Sequence, residues 1–149
     1  MKHTGELRTI ARWIIDSNRY MTMATADETG LPWVSPVWYA PVRYRDFLWV
    51  SSPQARHSRN LATRPHLAIV IFDSHSAGDW RAMYMSAVGE ELGGDDVDEG
   101  IDIFSRWSKE QGLRVWTRDE VLPPARHRLY RATASEHPSS STHTTSGCP

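Results

Sequence analysis

The chain has 149 residues, 40% hydrophobic and 23% charged, the profile of one globular domain and too short for two full cores. Lys and Arg number 17 against 18 Asp and Glu, a formal charge of -1; this argues against nucleic acid or an anionic membrane as partner, since either favours a basic excess. No apolar run reaches the roughly 18 residues of a membrane span and the N-terminus lacks an apolar signal core. Cys148 is the only cysteine, so no internal disulfide forms, and the expectation is a soluble, cytoplasmic protein.

Leu7, Ile10, Ala11 and Ile14 form one helical stripe, which predicts a helix over 6–17 with Asn18 as a left-handed cap. Residues 20–26 alternate at the period of a strand, 27–30 are turn chemistry, and 31–39 resume as the second arm of a hairpin. A second hairpin turns around Arg43 to Asp46 and returns through Phe47 to Ser51, with Phe47, Trp49 and Ser51 on one face and Leu48 and Val50 on the other.

Ser52 as cap and Pro53 at the first helical position start a short helix, 54–63. Strand 66–72 is buried, 73–81 reads as a loop, and a further strand covers 83–92. Asp95 or Asp96 caps a third helix whose inner face carries Val97, Ile101, Phe104 and Trp107, with Gly112 just past its end. A last strand spans 128–134. Beyond Pro138 the chain is Ser, Thr, His, Gly and Pro, expected to be disordered, which leaves one ordered domain over 1–137. About six strands, mostly joined as hairpins, with about three flanking helices, point to a mainly β, α+β antiparallel barrel rather than a doubly wound sheet.

The chemistry concentrates between Leu48 and Asn60. A strand delivers the hydroxyls of Ser51 and Ser52 to the opening of a helix, where free backbone N–H groups and the positive end of the dipole favour anions. Arg56, His57, Arg59 and Asn60 follow within two turns, and arginine forks suit phosphate oxygens. Spacing places Arg56, Arg59 and Asn60 on one side and Ala55, Ser58, Leu61 and Ala62 on the packing side. The same residues also suit a solvated basic face on a surface helix.

The order of two hairpins, then Ser-Ser-Pro-x-Ala-Arg-His-Ser-Arg-Asn-Leu and a buried strand, resembles the pyridoxamine 5′-phosphate oxidase-like family of flavin-binding split β-barrels. The likeness runs from about Leu7 to His137 and is carried by Met21-Thr-Met-Ala-Thr, Ser35-Pro-Val-Trp38 and Ser58-Arg-Asn-Leu61. It implies a six-stranded split barrel that binds FMN, or in some branches F420, in a groove at a homodimer interface. Ser51 and Ser52, with Arg56, His57 and Arg59, would then surround the cofactor phosphate, and Asn60 would tie down the helix or reach the ribityl chain. Pro36, Val37 and Trp38, and Val50 on the returning strand, would lie along the cofactor.

The sequence departs from that family at His57, where many relatives carry lysine. A group titrating near neutrality replaces a constant charge; either Arg56 compensates for it, or phosphate affinity falls as pH rises past about 7. The polar tail also replaces the ordered C-terminal segment that true pyridoxamine 5′-phosphate oxidases bring to their substrate site.

The histidines are scattered, without the close pairs of a zinc site. Some split barrels hold heme through one histidine, which makes His66 and His75 candidates. No serine sits in a G-x-S-x-G elbow, and no acid–base constellation stands out. The resemblance therefore implies an oxidoreductase in which the cofactor carries the chemistry on an unidentified small molecule. The alternative is a non-catalytic flavin- or heme-binding protein of the same fold. The seven tryptophans suit core packing, or a patch for a partner subunit or planar ligand.

Overall fold

The computed structural model describes residues 2–75 and 81–135, with side chains from residue 5 onward. Helix α1 covers Lys2–Ser17; strands β1 (Tyr20–Ala26), β2 (Pro32–Trp38), β3 (Ala40–Val42) and β4 (Asp46–Ser51) follow. Then come α2 (Arg56–Thr63), β5 (His66–Phe72), β6 (Ala82–Glu91), α3 (Asp95–Glu110), a short 3-10 turn over Arg118–Glu120, and β7 (Arg128–Ala134). The expected tail beyond Pro138, Trp80, and most of the loop before Arg81 lie outside the described residues.

The strands form one antiparallel sheet in the order β2-β1-β5-β6-β7-β4-β3. Two features curl it. The long strand β6 pairs with β5 through Ala82 to Val88 and with β7 through Ala87 to Glu91, so it belongs to both halves of the sheet. At the other side only Tyr39 separates β2 from β3, and these are the two edge strands. A single run of chain thus leaves one edge and joins the other, as a split barrel requires. That bend accounts for seven strands in place of the six expected: the strand read over 31–39 ends at Trp38, and Ala40–Val42 form a separate strand, with β2 on β1 and β3 on β4.

The barrel interior holds Met21, Met23, Tyr39, Phe47, Trp49, Ile69, Ile71 and Tyr130, with Ile14 and Ile15 of α1 and Leu61 of α2 packed among them. Trp49 stacks on Tyr130 at 5.4 Å, and buried Tyr39 donates its hydroxyl to the Ile15 carbonyl at 2.6 Å. Gly89 lets α2 approach closely: a Cβ there would lie 3.1 Å from both Leu61 methyls. A second cluster lies on the outer face, where Val97, Ile101 and Phe104 of α3 cover Ala40, Leu48 and Leu129. Phe47 and Trp49 therefore face inward and Leu48 outward, as the alternation predicts. Of the other described tryptophans, Trp38, Trp107 and Trp116 pack against the second cluster, while Trp13 and Trp33 are exposed.

Four expected helix ends differ. α1 begins at Lys2 rather than at residue 6. Asn18 has no positive φ and instead donates Nδ2 to the Ile14 carbonyl at 2.8 Å, closing α1 with its side chain. Gly94, with φ of 58°, occupies the N-cap of α3; Asp95, Asp96 and Asp98 fall inside the first turn, where they complement the dipole. Residues 52–55 form a turn, with the Ala55 amide donating to the Ser52 carbonyl at 3.0 Å, so α2 begins at Arg56 rather than at 54. The end of α3 is as expected: Gly112 adopts φ of 75°, and the amides of Gly112 and Leu113 donate to the carbonyls of Lys109 and Ser108.

Candidate functional site

The β3–β4 ladder ends at Ala40 and Leu48. Beyond it β2 stays on β1 and β4 stays on β7, so Ser35 to Trp38 and Trp49 to Ser51 face each other without pairing. α2 enters this opening. Its residue His57 is 8% exposed and spans the split: Nε2 lies 2.8 Å from Ser51 Oγ on β4, and Nδ1 lies 3.2 Å from Ser35 Oγ on β2.

Burial holds the His57 pKa below its ordinary 6.5, because a charged ring is poorly solvated there. Burial therefore favours the neutral ring in the chain without a bound anion.

The first turn of α2 starts at Ala55, which provides no side-chain cap, leaving early backbone donors of the helix for an external acceptor. Ser52 Oγ accepts from the Gln54 amide at 3.1 Å and keeps its own proton for donation. Arg56 lies half-buried with its guanidinium 4.4 Å from the Trp33 ring centroid, near enough to Asp27 for a charge interaction. Arg59 is exposed, with no carboxylate partner among the described residues. A donor-rich set with two arginines fits a phosphate-bearing group.

The remaining expected site residues divide. Pro36 is exposed and Val37 faces the barrel interior. Trp38 packs edge-to-face on Tyr20 at 5.7 Å, and its buried indole N–H has no hydrogen-bond partner. Val50 is half-buried on the outer face of β4. Asn60 does not share the exposed side of the helix with the arginines: it is 4% exposed and donates to Thr25 Oγ1 at 3.0 Å, fixing α2 to β1. Ala62, expected on the packing side, is exposed. The helix starts late and turns its buried side to β1, so His57, Ser58, Asn60 and Leu61 form the packed face.

Sequence reasoning gave no role to Thr25, Trp33 or Ser35. Thr25 and Ser35 had a readable signal, since each is a hydroxyl in a register position whose other members, Met21, Met23 and Val37, are buried and apolar. Trp33 had none, because Arg56 is 23 positions away along the chain. The heme candidates stand apart from the split: His66 is exposed on β5, and His75 is 86% exposed beside Asp73. Among the described residues no three His, Cys, Asp or Glu side chains group as a metal site, and no helix is long and apolar enough to cross a membrane.

Fold and site together define a split β-barrel with a donor-lined opening. The chain belongs to the pyridoxamine 5′-phosphate oxidase family, whose sequence model matches residues 8–140. A search of curated proteins finds no match. Among solved structures the chain is similar to HutZ, the heme storage protein from Vibrio cholerae, with a TM-score of 0.69, 18% identity, and coverage of 88% of this chain and 92% of that one. A heme binding protein from Mycobacterium smegmatis aligns with a TM-score of 0.64 at 22% identity over 81% of this chain and 48% of its own. A structure described as F420 reductase aligns at 0.58 and 15% identity, over 78% and 86% respectively. At these identities the likeness is one of fold.

Proposed function

We propose that the chain is an FMN-binding or F420-binding oxidoreductase acting on a small molecule, working as a homodimer with the cofactor beside the interface. The observation that carries this reading is the uncapped first turn of α2, set at the split with the Ser51 and Ser52 hydroxyls and with Arg56 and Arg59. Phosphate would be held by those donors, with Asn60 anchoring the helix beneath them. Pro36 to Trp38 and Val50, on the two strands that face each other across the split without pairing, would border the ring system. A bound flavin or deazaflavin supplies hydride chemistry, and the protein contributes binding and orientation.

The dimer reading is supported by the sheet face that α3 leaves bare. Along β2-β1-β5-β6, Tyr20 is 61% exposed, Val34 59%, Tyr84 47% and Phe72 46%. A contiguous apolar face of this kind marks an association surface.

The test is the absorption spectrum of the purified protein, followed by titration with FMN, F420 and hemin. FMN or F420 uptake that weakens in Arg56→Ala supports the reading. Preference for hemin moves the protein to a heme-binding role on the same fold. Binding of none of the three reduces the start of α2 to an ordinary surface turn. Turnover of a nicotinamide cofactor by the flavin-loaded protein separates an enzyme from a carrier.

A further inference from the structure

We propose that Ser35 is a positioning residue: through the His57 imidazole it keeps the Ser51 hydroxyl proton free for donation to an anionic ligand at the start of α2. The ligand half of this proposal rests on the phosphate reading above. The proton arrangement stands on geometry alone.

Ser35 is 8% exposed, and its hydroxyl has one hydrogen bond among the described residues, the contact with His57 Nδ1 at 3.2 Å. Its cross-strand partner is Met23, and the next inward residue on β2 is Val37. A neutral imidazole carries one N–H and one acceptor nitrogen. With the proton on Nδ1, Ser35 would have to accept it, leaving the serine's own proton without an acceptor in an apolar interior. Buried donors are rarely left so, because the lost hydration is not recovered. With the proton on Nε2, Ser35 donates to Nδ1 and is satisfied.

The second arrangement decides what Ser51 presents. Nε2–H donates to Ser51 Oγ across 2.8 Å, and the half-buried Ser51 hydroxyl keeps its own proton to donate. In the opposite tautomer Ser51 donates into the ring and turns lone pairs toward the opening, which repels a phosphate oxygen. A residue that never touches the ligand thus sets the polarity of one that does. Protonating the ring does not improve on this, since both nitrogens become donors and Ser35 loses its acceptor.

The test uses the full chain labelled with 15N-histidine, without added ligand. Long-range 1H–15N correlations are expected to show His57, assigned by its loss in His57→Gln, as the Nε2–H tautomer. In Ser35→Ala the preference should dissolve into a mixture, and the FMN dissociation constant should rise about three- to tenfold, the effect of one hydrogen bond. Ser35→Thr, which keeps the hydroxyl, should restore both. An Nδ1–H tautomer in the wild type overturns the proposal, and that spectrum decides even if Ser35→Ala does not fold. So does a folded Ser35→Ala with unchanged tautomer, or with unchanged FMN affinity while Ser51→Ala weakens it. An Nε2–H tautomer alongside FMN binding that ignores Ser51→Ala and Arg56→Ala overturns the phosphate reading and the ligand half here, leaving the relay as a structural clamp.

Discussion

Asn60 Nδ2 donates to Thr25 Oγ1 at 3.0 Å, and both residues are 4% exposed. This single polar bond fixes the helix of the candidate site to β1, across 35 residues of sequence. Asn60→Ala leaves a buried hydroxyl without its partner, which costs about 1–3 kcal/mol. The double change Asn60→Leu with Thr25→Val should cost less than the sum of the two single changes, because it leaves neither group stranded. Urea unfolding midpoints of the four proteins check this, and strict additivity would show that the bond contributes no coupling.

Arg56 stacked on Trp33 has its guanidinium set in place before any anion arrives. A cation–π contact at a partly exposed site contributes about 0.5–1 kcal/mol. Trp33→Ala should therefore weaken FMN binding by about two- to fivefold, Trp33→Phe by less, and Arg56→Ala by more than either. Quenching of FMN fluorescence measures all three. Equal binding by Trp33→Ala and the wild type would mean that the ring merely shields the arginine stem.

Tyr84 stands 47% exposed near the middle of the bare sheet face. If two copies meet there, Tyr84→Glu buries an unpaired carboxylate at the interface and should give a monomer. Light scattering of the wild type and the variant reads the mass directly. Loss of the dimer should also lower FMN affinity, whereas a wild-type monomer would contradict the interface altogether.

Acid should destabilise the fold in two stages. Burial depresses the His57 pKa below 6.5. Above that value neither state binds the proton; as pH falls toward the folded pKa, the unfolded chain takes up a proton that the folded chain refuses, and stability is lost. Asp27 follows. The Thr29 hydroxyl, then the Leu31 and Thr29 amides, bond its carboxylate and hold its pKa below 3.8, with Arg56 assisting. That contribution is complete above the unfolded value and disappears as pH falls through the folded one. His57→Gln should flatten the first stage and Asp27→Asn the second, in urea midpoints measured from about pH 7 to about pH 2. A wild-type profile unchanged by either substitution would assign the acid sensitivity to other groups.

Much of this protein is written locally. Strict alternation in 20–26 and 66–72, the apolar stripe of α3, and Gly112 at its end depend on neighbours within one or two turns or a strand, so pattern alone specifies them. So does the delivery of two hydroxyls and two arginines to one helix start, because Ser51 to Asn60 are contiguous.

Local pattern fails where a long-range contact outranks propensity. Ser52-Pro53 is a good helix opening, yet the chain makes a separate turn first and caps α2 with Ala55. The strand read over 31–39 leads on toward the turn at Arg43 to Asp46, yet Tyr39 divides this run between β2 and β3, the two edges of the sheet. Arg43 and Tyr44 close the β3–β4 hairpin with φ of 54° and 56°, a conformation disfavoured for both, while Tyr44 donates its hydroxyl to Asp16 of α1 at 2.9 Å.

The kind of barrel, the order of its elements and the donor-rich segment from Ser51 to Asn60 are legible in the residues alone, since each depends on neighbours close together along the chain. That His57 is a buried bridge and Asn60 a strut, and that Trp33, Thr25 and Ser35 support the site, emerges from the folded arrangement. Those roles are set by which strand lies opposite the helix across the split, and that distance is short in space and 22 to 35 residues long in the chain.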